Sequence, residues 1–123
     1  MEAKDLRVLV VEDNADTAES LRRLLGLCGY QVMVARSAME GLSAARKAPP
    51  HIVLCDIGLP DSDGYVVASL LRQSRDTSSA RLIAVTARGE PHDRRRALAA
   101  GFDQHLVKPV APKALLIELE EAL

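Results

Sequence analysis

A chain of 123 residues fits a single domain with a hydrophobic core of its own, and no second domain is expected within it. A hydrophobic fraction of 48%, a charged fraction of 27% and a formal net charge of -1 are those of an ordinary soluble globular protein and exclude a bulk attraction to nucleic acid or anionic membrane. The polar start Met1-Glu2-Ala3-Lys4-Asp5 runs straight into a strand and the apolar runs are short, so a cytoplasmic chain without signal peptide, membrane span or membrane contact is expected.

In chain order, Arg7 to Val11 reads as a first strand, and Ala15 to Leu27 as a helix with Ala18, Leu21, Leu24, Leu25 and Cys28 near one face. Asn14 suits its N-cap and Gly29 its stop. Gln31 to Ala35 is a second strand; Ser37-Ala38-Met39-Glu40 then has the S-x-x-E capping-box form and opens a helix that runs to about Lys47 before Pro49-Pro50. Ile52 to Cys55 is a third strand. The turn-rich segment Gly58 to Gly64 is a loop, followed by a helix from about Tyr65 to Gln73. A fourth strand covers Leu82 to Val85, and Arg88-Gly89-Glu90-Pro91 opens a fourth helix that stops at Gly101. Gln104 to Val107 is the fifth strand, and Pro112 begins a last helix with Leu115, Leu116, Leu119 and Leu123 as its apolar stripe. Five strands alternating with five helices predict an α/β, doubly wound flavodoxin-like (βα)5 sandwich with a parallel sheet; short connections and right-handed crossovers leave few topologies, of which the order 2-1-3-4-5 is the one expected.

Cys28 and Cys55 lack CxxC spacing and a Cys/His cluster, which excludes the usual zinc patterns. Both are expected as reduced core residues. Tyr30, Tyr65 and Phe102 are the only aromatics, too few for a flavin site or a base-stacking platform. Arg94-Arg95-Arg96 spreads around a helix beside Asp93 and Glu90 and reads as a solvated face, so direct nucleic-acid contact is not expected.

Four of the strands run into polar residues: Glu12-Asp13 after Val8-Leu9-Val10-Val11, Asp56 after Ile52-Val53-Leu54-Cys55, Thr86 after Ile83-Ala84-Val85, and Lys108 after Leu106-Val107. In an open α/β sheet ligands bind beyond the carboxyl ends of the strands, so these residues should converge. Three carboxylates, a hydroxyl and an ammonium at one sheet edge suit a hard divalent cation and a phosphoryl group. Singly, each has a plain structural reading as a cap, a turn or a strand-end residue; together those readings require four accidents on one edge.

These residues resemble the receiver domain of two-component response regulators over essentially the whole chain. Val10-Val11-Glu12-Asp13-Asn14 resembles the family's acidic pair, Leu54 to Gly64 its phosphoacceptor motif, Val85-Thr86-Ala87 its switch threonine and Val107-Lys108-Pro109 its lysine-proline pair. The resemblance implies that Asp56 accepts a phosphoryl group from a phosphohistidine of a sensor histidine kinase or phosphotransfer protein. It implies Mg²⁺ (or Mn²⁺) held by Glu12, Asp13, Asp56 and the Gly58 carbonyl, with Lys108 and Thr86 on the phosphoryl oxygens. Ile57, Gly58, Ala87 and Arg88 would lie next to the phosphate, Gly58 and Arg88 influencing how fast it is lost. The resemblance also suggests a cis bond before Pro109, although trans is commoner for any X-Pro bond. The fourth helix, fifth strand and fifth helix would form the output surface, for an unknown output partner or effector domain or for an activation-dependent homodimer.

His105 departs from the family's better-known pattern, standing where a switch Tyr or Phe is usual. It reads as a half-exposed histidine on an edge strand, with an inward switch or a titrating group as alternatives. The expected function is that of a phosphoacceptor in a phosphorelay, catalysing nothing beyond its own phosphorylation and dephosphorylation. Stand-alone regulator, relay carrier and receiver of a longer protein such as a hybrid histidine kinase all fit. A haloacid-dehalogenase-like phosphatase would place a second aspartate where Gly58 stands; a degenerate binding module would not need the intact Glu12, Asp13, Asp56, Thr86 and Lys108.

Overall fold

The structure, a computed structural model, describes residues 2–87 and 91–123; Arg88 of the expected site lies outside the described residues, as do the side chains of residues 91 and 92. Strands β1 (Arg7–Val11), β2 (Gln31–Ala35), β3 (Ile52–Asp56), β4 (Arg81–Thr86) and β5 (Gln104–Val107) form one parallel sheet in the order β2-β1-β3-β4-β5. Helices α1 (Ala15–Leu27), α2 (Ala38–Lys47), α3 (Gly64–Gln73), α4 (Pro91–Ala100) and α5 (Pro112–Glu120) supply the connections. The fold class and strand order are those expected from the sequence. β3 reaches one residue further than its apolar run, so Asp56 is itself the last strand residue.

Helices cover both sheet faces, and strands buried on both faces read as continuous apolar runs. Alternate residues therefore serve separate cores. Leu9, Val11, Val53, Cys55, Leu82 and Ala84 pack with Ala38, Ala45, Val67, Ala68, Leu71 and Ala97 of α2, α3 and α4. Val8, Val10, Ile52, Leu54 and Ile83 pack with Leu25, Leu115 and Leu119 of α1 and α5. Each fully buried aliphatic side chain contributes about 1.5–3 kcal/mol relative to exposure, so the many such residues fix the register firmly.

Caps mark the helix starts facing the carboxyl ends of the strands. Asn14 Oδ1 accepts the Thr17 N–H at 3.0 Å and Asp63 Oδ1 the Val66 N–H at 3.0 Å. Ser37 Oγ accepts from Glu40 N–H at 3.1 Å, but Glu40 takes the Arg36 amide at 2.8 Å, so the expected capping box closes one residue early. Gly64 is held to glycine by close approach: a Cβ there would stand 2.7 Å from the Asp56 carbonyl oxygen and 2.8 Å from Ile57 Cα. At the opposite sheet edge, three arginines fasten loops through backbone carbonyls. Arg7 donates to Pro49, Arg72 to Gly101, Ser78 and Ala80, and Arg81 to Glu118.

Two core expectations are corrected. Cys28 is exposed, because it is the C-cap of α1 and turns away into the Gly29 bend (φ 94), leaving Leu25 as the last fully buried residue of that face. Leu123 is 47% exposed, because α5 ends at Glu120 and the final turn carries it off the stripe held by Leu115 and Leu119. Cys55 is fully buried, and burial pushes its thiol up, which suits an inert core residue.

Candidate functional site

Strand register gathers the polar residues. Val11 lies opposite Cys55, Asp56 opposite Val85, and Thr86 opposite Val107, so Glu12, Asp56, Thr86 and Lys108 leave the sheet at nearly one level. Pairing continues past the strand ends: Glu12 N–H donates to Ala35 O at 2.9 Å, and Lys108 N–H to Thr86 O at 2.7 Å. The Lys108–Pro109 peptide is cis.

Glu12 is 2% exposed and Asp56 9% exposed, a costly setting for two carboxylates unless they are compensated. Lys108 supplies the compensation, its Nζ standing 2.6 Å from Glu12 Oε1 and 3.2 Å from Asp56 Oδ2. Burial works against the ammonium, but the Glu12 hydrogen bond and the Asp56 charge outweigh it and hold Lys108 above its ordinary range. Burial raises the Glu12 carboxyl, with Lys108 and the Asn14 N–H pulling the other way. The backbone completes the cage: Asn14 N–H reaches Glu12 Oε2 at 3.2 Å, and Gly58 N–H reaches Asp56 Oδ1 at 2.9 Å.

Oxygens of Glu12, Asp13 and Asp56 lie within 4.8 Å of one another, the carboxylate cluster that the acidic pair and Asp56 predict. Asp13 is exposed, and its carbonyl is held by the Arg36 guanidinium. Such an all-oxygen set fits a hard divalent cation such as Mg²⁺, with Lys108 as an internal competitor for the same carboxylates.

Outside this cluster a cleft of about 400 Å³ is lined by Asp56, Ile57, Gly58, Tyr65, Thr86, Ala87, Asp93, Arg96 and Lys108. The expected phosphate neighbours Ile57, Gly58 and Ala87 thus share it with Thr86. His105 stands back from it, opposite Ala84 on β5 and half-buried, with Nε2 enclosed and without a hydrogen-bond partner among the described residues. Burial lowers its pKa; Asp93 acts against that shift and Arg94 with it.

Three residues escape the sequence reading. Asp61 reads as a turn residue, yet its carboxylate crosses to α2 and accepts from Ala38 N–H at 2.9 Å and Met39 N–H at 3.0 Å, which lowers its pKa. Arg96 Cζ lies 4.2 Å from the centroid of the Tyr65 ring at the cleft wall, a cation–π contact. The spacing of Arg96 from Asp93 is the one signal available, since residues three apart share a helix face.

Comparison with known proteins agrees with this geometry. Residues 8–120 match the family described as the response regulator receiver domain. The chain is 37% identical, over all its 123 residues, to the ycf27 protein of Pyropia yezoensis, covering 49% of that protein. It is 36% identical over 116 residues to the transcriptional regulatory protein KdpE of Mycobacterium tuberculosis, covering 94% of this chain and 50% of that one. It therefore spans about half the length of these curated relatives. Among solved structures it resembles the chemotaxis response regulator CheY4 of Vibrio cholerae, with a TM-score of 0.90, 26% identity, and coverage of 96% of this chain and 98% of that one. Fold, strand-end residues and family match agree: the chain belongs to the receiver domains of two-component response regulators.

Proposed function

We propose that this chain, as a receiver domain over residues 1–123, is a phosphoacceptor of a two-component relay that takes a phosphoryl group from a histidine kinase or phosphotransfer protein onto Asp56. The observation that carries the reading is the carboxylate trio within 4.8 Å, with the Lys108 ammonium bridging Glu12 and Asp56. Glu12, Asp13, Asp56 and the Gly58 carbonyl would hold Mg²⁺ or Mn²⁺, which when bound neutralises charge on the transferring group. Asp56 acts as nucleophile through a carboxylate oxygen. Lys108, released from it, pairs with a phosphoryl oxygen as a point charge, and the Thr86 hydroxyl donates to another.

Output runs through α4, β5 and α5. Leu98, Val107 and Ile117, one on each element, are 46%, 44% and 50% exposed, and a partner, an effector domain or a second copy would cover them. Phosphorylation acts there by shifting a population already present.

The deciding experiment is intact-protein mass after incubation with acetyl phosphate, with and without Mg²⁺, for wild type and Asp56→Asn. A Mg²⁺-dependent gain of one phosphoryl group in wild type alone is expected. Equal labelling of the Asn variant would exclude Asp56 as the acceptor.

A further inference from the structure

The cleft over Asp56 has two cations among its described lining residues, and they are differently employed. Lys108 is committed, at 2.6 and 3.2 Å, to Glu12 and Asp56. An incoming phosphoryl donor, itself anionic, therefore meets the Asp56 carboxylate with the inner ammonium already neutralised.

Arg96 is held quite differently. Its guanidinium carbon lies 4.2 Å from the Tyr65 ring centroid, and its ion pair with Asp63 Oδ2 spans 3.8 Å, beyond hydrogen-bond distance. The side chain is 65% exposed. A cation–π contact is electrostatic and engages no carboxylate or carbonyl acceptor, so it leaves the guanidinium N–H donors for phosphoryl oxygens, which that group can meet bidentately. An exposed, loosely paired ion contact gives little resistance to departure. The helix supplies its own comparison: Arg94 acts on His105 and Arg95 is exposed away from the cleft lining.

We propose that Arg96 is the cation that receives the anionic phosphoryl donor at the mouth of the cleft, Tyr65 serving as the platform that presents it. This rests on the phosphoacceptor reading above and adds a donor-binding residue to it. In the transfer from acetyl phosphate an Asp56 carboxylate oxygen bonds to phosphorus while the bond from phosphorus to the acetyl oxygen breaks. Acetate leaves with that electron pair. Arg96 gives up no proton; it offsets charge as the donor approaches.

The test is the initial rate of acetyl phosphate labelling at saturating Mg²⁺, read by intact mass at low and high salt, for wild type, R96A, R96K and R95A. R96A is expected to label about three- to tenfold more slowly at low salt, a gap that narrows at high salt because steering by charge is screened. R96K should recover most of the low-salt rate, and R95A, which loses the same net charge, should follow wild type. Equal rates for R96A and R95A, or a loss in R96A that salt does not change, would overturn the role of Arg96. A wild type that takes no phosphoryl group fails the phosphoacceptor reading instead, an outcome separable from the first because there the wild type labels.

Discussion

Lys108 stands between two buried carboxylates that would repel each other without it. Its replacement by Ala should lower the thermal midpoint without metal and enlarge the gain on adding Mg²⁺, since the ion then meets no internal competitor. Thermal scans of both proteins with and without Mg²⁺ check this; equal Mg²⁺ increments would show that the ammonium does not compete with the ion. His105 makes a separate pH prediction. Its folded pKa is lowered by burial, so the folded protein favours the neutral ring. At pH above the ordinary value of about 6.5 both folded and unfolded chains are neutral there and stability is complete. As pH falls through that value the unfolded chain takes up the proton first, and stability declines until the folded pKa is passed. Urea unfolding of wild type and His105→Gln between about pH 7.5 and 5.5 should show a steeper decline in wild type, the other histidines cancelling in the comparison. Parallel slopes would place no titration at His105.

At the scale of elements, α3 begins where β3 has just ended, and Gly64 permits the return. Gly64→Ala pushes a methyl into the Asp56 carbonyl, a backbone atom that cannot step aside cheaply. A loss of about 1–3 kcal/mol is expected in urea unfolding, together with slower phosphoryl uptake because the peptide of the proposed phosphoacceptor must shift. An unchanged midpoint would mean the turn relaxes freely. The contrast between Asp56 and Arg96 shows what the sequence makes legible. Asp56, Thr86 and Lys108 follow apolar runs, and parallel pairing converts a run's end into a position at the sheet edge. Arg96 follows no such run: α4 is highly polar, with Ala97 its buried contribution to the core, so its rotation about its own axis is set by neighbours. Asp61 is hidden for a related reason, since a carboxylate crossing from one loop to the amides of another helix has no periodicity to announce it.

For the molecule as a whole, alternating elements with short connections make the parallel, doubly covered sheet legible and narrow the strand order to a few, β2-β1-β3-β4-β5 among them, whereas Cys28 and Leu123 are misplaced because a helix's final turn leaves its stripe. The two edges of the sheet are built on different terms. At the carboxyl edge a charged cleft is lined in part by weakly restrained side chains. At the amino edge the guanidinium groups of Arg7, Arg72 and Arg81 each grip main-chain oxygens, joining the loops before β3 and β4, the α4–β5 turn and α5. Side-chain hydrogen bonds to main-chain oxygen do not depend on which residue occupies the gripped position, so this edge can accept sequence change in its loops while keeping its shape. The molecule is thereby footed like a tuning fork: the amino edge is the clamped stem, and the tines carry the charged cleft.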